Sequence, residues 1–299
     1  MRKPPPRIWP CCSSVSRRWK SSRLPPQRGR VFPSSRNASR VYFRRTDSVV
    51  VALLSDIHAN LEALQAVLAD MSRRGVDGVL GLGDYIGFNG NPAECLNLVR
   101  PHLLAAVRGN HEEALLDRAV FGVELYRRMM ELTREMLTPE QIQWVRSLPT
   151  HSSWQGFVLS HATPEAPKRW GRVANVNDAR KVFAAVKNRV SFFGHTHRAS
   201  IFRLRHGVVE KIPVEYDAQG DFALHLSSDS RFLVNPGSVG QPRDLDWRAA
   251  YGLFCPETYT LHLRRVAYDV AQTCPKIART GLPESFAEAL RRGTSPTGD

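Results

Sequence analysis

Two histidines stand one residue apart at the end of an apolar segment. Residues 190–197 read Val-Ser-Phe-Phe-Gly-His-Thr-His, so that His195 and His197 follow a short hydrophobic run. A β-strand directs alternate side chains to the same face, and residues i and i+2 just beyond a strand end can therefore reach one point. Imidazole is the commonest metal ligand among protein side chains. An isolated pair is equally compatible with two ordinary histidines, so a metal site here requires further ligands elsewhere in the chain.

Side chains of the same chemical types follow four other predicted strands. They are Asp56 and His58 after the first strand, Asp84 after the second, Asn110 and His111 after the third, and His161 after a later one. Open α/β sheets bind their ligands at the carboxyl ends of the strands. Each residue alone has an ordinary explanation as a helix N-cap, a turn residue or a buried histidine. Five such coincidences in one chain favour a common site.

The residue types narrow the chemistry of this predicted site. The candidate ligands supply oxygen and nitrogen atoms and no thiolate: Asp56, His58, Asp84, Asn110, His161, His195 and His197. Such a set suits Mn, Fe or Zn better than Ca, and it excludes a structural zinc site of the cysteine type. Seven ligands are too many for one tetrahedral ion but suit two ions that share a carboxylate. Two metals about 3.5–4 Å apart stabilise the attacking and leaving oxygens of phosphoryl transfer.

The elements that would position these residues can be predicted from apolar periodicity. The β-branched run 48–54, a helix from Asn60 to Gly75, a second run at 76–82, a helix near 92–100 and a third run at 103–107 form a β-α-β-α-β pattern. This pattern indicates right-handed crossovers and a parallel sheet. The segment 110–147 is predicted to be helical, with one long helix at 121–137. Further strands are predicted at 157–160, 190–193, 201–204, 222–226, 232–234, 251–254 and 258–264, and helices at 179–187 and 283–292.

The net charge of +14 is concentrated at the N-terminus. Residues 1–46 contain 13 Lys and Arg and no acidic residue, whereas residues 47–299 contain 29 basic and 28 acidic residues. The body of the chain therefore has no unusual field that would attract polyanions, and we expect no nucleic-acid surface outside the leader. No run approaches the roughly 20 apolar residues of a membrane span. Five cysteines without metal or disulfide spacing favour a reducing, cytoplasmic location.

The leader of residues 1–46 is rich in Arg, Pro and Ser and is predicted to be disordered, because it cannot bury enough apolar surface to offset the entropy of folding. Two alternatives remain open. The composition is also that of an organellar transit peptide, which would change the localisation. A misplaced start codon would instead make the leader no part of the protein.

Taken in chain order, the motifs resemble those of the calcineurin-like metallophosphoesterase superfamily. They are Asp56-x-His58, Gly83-Asp84, Gly109-Asn110-His111, Ser160-His161 and Gly194-His195-x-His197. The segment 235–243, Asn-Pro-Gly-Ser-Val-Gly-Gln-Pro-Arg, resembles the small bacterial phosphodiesterase branch. The resemblance covers about residues 49–270. It implies an α/β fold, a four-layer α/β/β/α sandwich of two mixed sheets, with residues 47–299 as the metallophosphoesterase domain.

The resemblance also implies roles for the individual residues. One metal would be held by Asp56, His58 and His197, the other by Asn110, His161 and His195, with Asp84 as the bridge. His111 would protonate or stabilise the leaving oxygen. The nucleophile would be a hydroxide bridging the two ions, since bound metal lowers the pKa of water to near neutral. The two histidines of segment 190–197 would then serve two different ions.

One departure separates this chain from the protein serine/threonine phosphatases of the superfamily. Their second motif is Gly-Asp-x-x-Asp-Arg-Gly, whereas residues 83–89 here lack the second acid and the arginine. The residue that would orient His111 is therefore unidentified, although Glu112 is its neighbour in sequence. Arg108 and Arg243 are candidates for binding substrate phosphate, because guanidinium groups match phosphate in a bidentate fork. Each could instead be an ordinary solvated or ion-paired arginine.

These observations predict a hydrolase of phosphate ester bonds, with a phosphodiesterase using two divalent ions as the leading hypothesis. Mn is the first choice, and Fe, Zn or Ni are alternatives. A phosphomonoesterase or a dinucleoside-polyphosphate hydrolase stays open, because loop shape and not the metal ligands selects the leaving group. A non-catalytic interaction scaffold would have lost a ligand, yet all seven positions retain ligand-type residues. A nuclease would need a basic groove, which the near-neutral body does not indicate. The expected partner is a small phosphate ester, and the oligomeric state is left open.

Overall fold

The computed structural model describes residues 48–296, so the predictions for the leader of residues 1–46 concern positions outside the described range. The first part of the described chain alternates strands and helices as predicted. Its elements are β1 (Val51–Leu54), α1 (Leu61–Arg74), β2 (Gly78–Gly81), α2 (Pro92–Val99) and β3 (Leu103–Ala106). The side chain of Asn60 caps α1 by accepting the Ala63 N–H, and Gly75 ends the helix at φ 67°. The three strands are parallel, which confirms the βαβαβ prediction.

The helical region that follows is divided into three helices. They are α3 (Asn110–Leu116), α4 (Glu124–Glu135) and α5 (Pro139–Ser147). The predicted helix 121–137 is thus shorter at both ends. Its C-terminal limit is set by Thr138, whose hydroxyl accepts the Gln141 N–H and begins α5 in a reciprocal capping arrangement.

The remaining elements are mostly strands. They are β4 (His151–Trp154), β5 (Phe157–Ser160), α6 (Val176–Ala185), β6 (Val190–Phe192), β7 (Ser200–Arg205), β8 (Val208–Ile212), β9 (Asp221–His225), β10 (Ser230–Asn235), β11 (Ala249–Cys255), β12 (Thr260–Val266), α7 (Val270–Ile277) and α8 (Glu284–Arg292). The sequence analysis missed β4, β8 and α7. Strands β4 and β8 are edge strands without a continuous apolar run, and α7 is short and contains Pro275.

The strands form two six-stranded mixed sheets. The first has the order β3-β2-β1-β11-β12-β9 and the second has the order β4-β5-β6-β10-β7-β8. In the first sheet β1, β2 and β3 are parallel, and in the second sheet β5, β6 and β10 are parallel. The other pairings in both sheets are antiparallel.

The period-2 alternation of the buried strands produces the layers. In β1, Val51 and Leu53 face a core between the two sheets, whereas Ala52 and Leu54 face a core between the first sheet and the helices. In β10, Val234 lies in the core between the sheets and Leu233 packs towards α6 on the outside of the second sheet. Three cores therefore separate four layers, which confirms the α/β/β/α sandwich. Among residues 48–296, no helix combines the length and apolar character that crossing a bilayer would require.

Candidate metal centre

All seven ligand-type residues lie just beyond the ends of parallel strands. Strands β1, β2 and β3 of the first sheet lead to Asp56 and His58, to Asp84 and to Asn110. Strands β5 and β6 of the second sheet lead to His161 and to His195 and His197. The carboxyl ends of the two parallel blocks meet at one edge of the sandwich. The structure thus brings the seven residues together from five loops and from both sheets.

The loops that present these residues have unusual backbone conformations. Five ligand-type residues have positive φ angles between 47° and 68°: Asp56, His58, Asp84, His195 and His197. For residues other than glycine this left-handed conformation costs free energy, and it clusters at functional sites where the surrounding structure enforces it. The strained backbone turns each side chain away from its strand axis and towards the common point.

One group of ligand-type atoms surrounds one carboxylate oxygen of Asp56, Oδ1. Asp56 Oδ1 lies 3.2 Å from His197 Nε2 and 3.8 Å from His58 Nε2. Asp56 Oδ2 is held in place by the Ser55 hydroxyl at 2.6 Å and by the His195 N–H at 3.1 Å. Asp56 Oδ1 itself is buried and accepts no hydrogen bond from any of residues 48–296. It therefore points into the group with its lone pairs available.

A second group surrounds His161 and is joined to the first by Asp84. His161 Nε2 lies 3.1 Å from Asn110 Oδ1, 3.2 Å from His195 Nδ1 and 3.2 Å from Asp84 Oδ2. Asp84 Oδ2 is also 3.5 Å from His58 Nε2 in the first group. Ligand atoms of Asp56, His58, Asp84 and His197 form one compact set, and those of Asp84, His161 and His195 form another. One carboxylate oxygen is thus shared between the two sets.

The hydrogen bonds of three histidines show that the site is arranged for cations. His58 Nδ1 lies 3.1 Å from Ile86 O, His161 Nδ1 2.8 Å from Leu82 O, and His197 Nδ1 2.6 Å from Gln241 O. A carbonyl can only accept, so each Nδ1 carries a proton, and in the neutral rings of His58 and His197 Nε2 presents a lone pair. The lone pairs of His58 Nε2 and His197 Nε2 would then face each other at 3.1 Å, which is unfavourable unless a cation lies between or beside them. Donation from the second ring nitrogen to a carbonyl is also the usual support of a metal-binding histidine.

Burial keeps most of these imidazoles neutral, which is the form that binds metal. It lowers the pKa values of His58 and His197 well below the usual range, and burial together with the charge of His161 lowers the pKa of His195 to about 3. His161 differs. Burial disfavours its charged form, but the carboxylate of Asp84, through charge and hydrogen bonding, raises its pKa to about 9.

Glu112 holds together the two loops that carry the bridging carboxylate and the asparagine. Its Oε2 accepts the backbone N–H groups of Asp84 and Gly109, both at 2.8 Å. Its Oε1 accepts those of Tyr85 and Ile86 at 2.8 and 3.2 Å. The carboxylate is fully buried, so these four bonds compensate much of its lost hydration. Glu112 therefore supports the loop of Asp84. It does not orient His111, although it is the neighbour of His111 in the sequence.

The segment 235–243 braces the opposite side of the site. Asn235 Nδ2 donates to Gly194 O at 2.8 Å, and the Ser238 hydroxyl donates to Asp56 O at 2.8 Å. At Gly194 itself, a Cβ atom would lie 1.8 Å from Ser55 Oγ, so only glycine fits between β6 and the loop of Asp56. These contacts explain the glycine that interrupts the apolar run before the two histidines.

A cavity of about 230 Å³ opens onto the ligand residues. Besides ligand-type residues it is lined by His111 and by residues of two kinds: the aromatic side chains of Phe88, Phe121 and Tyr126, and the guanidinium groups of Arg172 and Arg243. Of the two predicted phosphate-binding arginines, Arg243 is thus in the cavity wall. Arg108 does not line the cavity, and its Nε lies 2.7 Å from Glu113 Oε2 in an ion pair. Tyr85 is fully buried.

The sequence analysis did not single out Arg172, Phe121 or Tyr126. Arg172 lies in an irregular segment after β5, and the other two lie at the start of a helical region that reads as ordinary amphipathic structure. No local pattern distinguishes them. The only available signal was that both segments follow strands that end in ligand-type residues.

His111 lies beside the bridging carboxylate inside the aromatic part of the cavity. Its Nε2 is 3.9 Å from Asp84 Oδ2, and its ring centroid is 4.5 Å from that of Phe88 and 5.1 Å from that of Phe121. Its buried Nδ1 has no hydrogen-bond partner among residues 48–296 and packs against Gly87. Burial lowers the pKa of His111 to about 4 against the opposing charge of Asp84, so the metal-free ring is neutral at pH 7. Packing, and not a carboxylate, fixes this imidazole.

A four-layer sandwich with oxygen and nitrogen ligands gathered at the ends of both sheets defines a class of metal-dependent phosphate-ester hydrolases. The chain belongs to the calcineurin-like phosphoesterase superfamily, whose domain model matches residues 49–254. The family is metal-dependent, and its members are hydrolases that act on phosphate esters.

Three relatives illustrate the breadth of the similarity. A metallophosphoesterase structure from Sphaerobacter thermophilus shares 34% identity at a TM-score of 0.72, over 83% of this chain and 100% of that one. An uncharacterized protein from Methanocaldococcus jannaschii is 31% identical over 259 residues, which is 82% of this chain and 98% of that protein. A hypothetical protein from Pyrococcus horikoshii OT3 has the same fold at a TM-score of 0.64, with 18% identity over 83% and 99% of the two chains.

Proposed function

We propose that the protein is a phosphodiesterase that holds two divalent metal ions, preferentially Mn, in the two ligand sets that share Asp84. The observation that carries this proposal is the position of Asp84 Oδ2 between His161 Nε2 and His58 Nε2, at 3.2 and 3.5 Å. Oxygen and nitrogen donors without thiolate favour Mn, with Fe, Zn or Ni as alternatives. Asp56, His58 and His197 would complete one ion's protein ligands, and Asn110, His161 and His195 the other's.

Bound ions would supply Lewis acidity, which polarises the phosphoryl group and lowers the pKa of water at the site. The residues of the chain then position the substrate. Arg243 is oriented by Gln241, which accepts from its Nη2 at 3.0 Å, while its buried Nε has no partner among the described residues. This guanidinium is well placed to bind a non-bridging oxygen of the scissile phosphate.

His111 is the group that faces the leaving oxygen in this proposal. Hydrolysis adds water to phosphorus and breaks one P–O ester bond, so negative charge develops on the departing oxygen. Because the ring is neutral at pH 7 in the metal-free protein, its protonated nitrogen serves first as a hydrogen-bond donor to that oxygen. The departing oxygen then takes its proton from water, because a neutral imidazole stabilises the developing charge by hydrogen bonding but is too weak an acid to give up its N–H proton.

The first test is hydrolysis of bis-p-nitrophenyl phosphate and p-nitrophenyl phosphate by metal-stripped protein, with Mn, Fe, Zn or Ni added back. We expect no cleavage without metal and Mn-restored cleavage of the diester. Cleavage of the monoester alone would contradict the phosphodiesterase proposal and leave a phosphatase. No cleavage with any metal would contradict the proposed activity on simple esters.

Two variants make the test specific for the site. Asp84→Asn should abolish metal-restored cleavage, because an amide bridges two cations poorly. Asp178→Asn is the matched control, since Asp178 lies on α6, pairs only loosely with Lys181 at 4.0 Å, and does not line the cavity. It should retain the wild-type rate.

A further inference from the structure

The cavity contains two guanidinium groups, and the one acidic residue in its lining, Asp84, belongs to the proposed metal-ligand set. Arg243 lies deep in the wall, with its Cζ 5.7 Å from the centre of the Phe88 ring. Arg172 is exposed at the mouth of the same cavity. Within residues 48–296 neither has a carboxylate at ion-pair distance. By contrast, the buried Arg264 lies 2.8 Å from Asp221, and the buried Arg265 pairs with Asp244.

The two guanidinium groups line the same cavity, and their positive charges oppose each other. Like charges that share a partly buried cavity are unfavourable unless an anion lies between them. The carboxylate of Asp84 would be engaged by metal in the proposed enzyme, so the compensating anion has to come from the ligand.

One phosphodiester does not supply enough oxygens for both arginines. Its phosphate has two non-bridging oxygens, and the proposed centre already directs the metals and Arg243 towards them. A second guanidinium at the mouth would then compete with the metals and Arg243 for the same two oxygens. The arrangement instead fits a substrate with another anion a short distance outside the reacting phosphate.

We propose that the substrate carries a second phosphate beside the scissile phosphoester, and that Arg172 at the cavity mouth binds this second phosphate. This inference rests on the proposed phosphodiesterase function and deepens it. A phosphate group satisfies the planar fork of a guanidinium in a bidentate manner, which a single carbonyl or hydroxyl does not. The substrate class is therefore an organic phosphodiester that also bears a phosphate, and a diester without a second anionic group is a poor match.

Three esters with the same p-nitrophenolate leaving group test this proposal on the metal-loaded full chain. They are the ethyl, 2-carboxyethyl and 2-phosphonoethyl esters of p-nitrophenyl phosphate, and the phosphonate serves as a phosphate that cannot be hydrolysed. We expect kcat/KM to be about tenfold higher for the phosphonoethyl ester than for the ethyl ester, as one charge-assisted contact provides. Arg172→Gln should remove this preference.

Arg169→Gln is the matched control, because Arg169 is an exposed arginine of the same segment that does not line the cavity. It should keep the wild-type preference. An unchanged preference in Arg172→Gln would overturn the proposal, as would an equal loss in Arg169→Gln, which would indicate only a net-charge effect. Equal preference for the carboxyethyl ester would overturn the assignment to phosphate.

A binding measurement separates failure of this proposal from failure of the proposed function. If no metal restores cleavage of any ester, the phosphodiesterase function fails. Calorimetry on the full chain can then still test whether Arg172 binds a second phosphate. It compares the affinities of 2-phosphonoethyl phosphate and ethyl phosphate. Tighter binding of the bisphosphorylated ligand, lost in Arg172→Gln, would support it, and equal affinities would overturn it.

Discussion

At the scale of single residues, the orientation of each ligand-type side chain depends on the polar atom that points away from the proposed metals. The partner of that atom fixes the side chain in place. His58, His161 and His197 each direct Nδ1 to a backbone carbonyl, which leaves Nε2 for a metal. Asp84 Oδ1 accepts the backbone N–H of His111 at 2.9 Å. This leaves Asp84 Oδ2 to lie between the two ligand sets. The orientation that would let these side chains bind metal therefore depends on contacts with residues far from them in the sequence.

His111 should matter most when the leaving group is poor. Substituting His111→Ala removes the donor to the leaving oxygen and should lower kcat for an alkyl phosphodiester by about 10²–10⁴-fold. The loss should be much smaller for a p-nitrophenyl ester, whose leaving oxygen needs little stabilisation. Steady-state kinetics on both esters, with metal content measured in parallel, checks this. Full activity on the alkyl ester with metals bound would contradict the proposed role.

Glu112 should determine metal affinity as well as stability. In Glu112→Gln one oxygen becomes an NH₂ group, which cannot accept from two of the four backbone N–H groups. We expect a loss of about 2–4 kcal/mol in the free energy of unfolding and about 10–100-fold weaker metal binding, because Asp84 loses its support. Thermal melts and metal titration calorimetry measure the two effects.

Glu113→Gln is the control for that prediction, since Glu113 is the next residue and pairs with Arg108 away from the cavity. It should alter stability only slightly and leave metal affinity unchanged. A Glu112→Gln variant that melts earlier but binds metal as tightly as wild type would restrict Glu112 to a purely structural role.

At the scale of elements, the strands provide a rigid base, and the residues with strained, positive φ angles lie in the loops that follow them. The loops that carry the ligand-type residues depart from β1, β2, β3, β5 and β6, and all of these strands except β3 are fully or largely buried. Rigid strand ends can hold neighbouring residues at positive φ, which an exposed loop would relax. Helix α1 must in turn be fixed to the first sheet, because it follows directly after the loop of Asp56 and His58.

Asp70 is the polar connection between α1 and that sheet. It accepts the Tyr251 hydroxyl of β11 at 2.6 Å, and Arg74 Nε lies 3.0 Å away. Burial would raise the pKa of Asp70, but the Tyr251 hydrogen bond and the charges of Arg74 and Arg264 lower it below the 3.8 of a free aspartate. The ionised Asp70 carboxylate therefore makes its full contribution to the free energy of unfolding at neutral pH. This contribution is lost as the pH falls below about 4.

Replacing Asp70→Asn should accordingly reduce the free energy of unfolding by about 2–3 kcal/mol at pH 7. The difference from wild type should shrink as the pH is lowered through the acidic range. Denaturant unfolding at pH 7 and at pH 3 measures it. Glu284→Gln, which breaks an exposed pair with Arg291, is the control and should change stability by less than about 0.5 kcal/mol. An equal loss at both pH values would show that the charge of Asp70 does not stabilise the fold.

At the scale of the whole molecule, the site exists because two sheets place their parallel blocks side by side. Neither sheet contains all the candidate ligands, since the first supplies Asp56, His58, Asp84 and Asn110 and the second supplies His161, His195 and His197. The core between the sheets, with Leu53, Phe192 and Phe254, fixes the distance between the two groups of loops. The three cysteines of the described range are free and buried, without a role at this edge.

The sequence by itself determined the features that are encoded locally. The parallel βαβαβ unit, the cap at Asn60 and the stop at Gly75 follow from short-range periodicity and from the conformations that particular residues allow. The seven ligand types could be identified because each directly follows an apolar strand. The edge strands β4 and β8 and the helix α7 were missed, since an exposed edge does not require the apolar pattern that marks a buried strand.

Only the tertiary structure decided how these residues are grouped and what surrounds them. That Asp84 lies between the two ligand sets, that Glu112 supports Asp84 and not His111, and that Arg172 joins Arg243 in the cavity all depend on loops from distant parts of the chain. Arg108 and Arg243 looked equivalent in the sequence, yet only Arg243 lines the cavity. The physical reason is that packing of the two sheets sets these distances, and no local pattern of residues specifies how separate loops will meet.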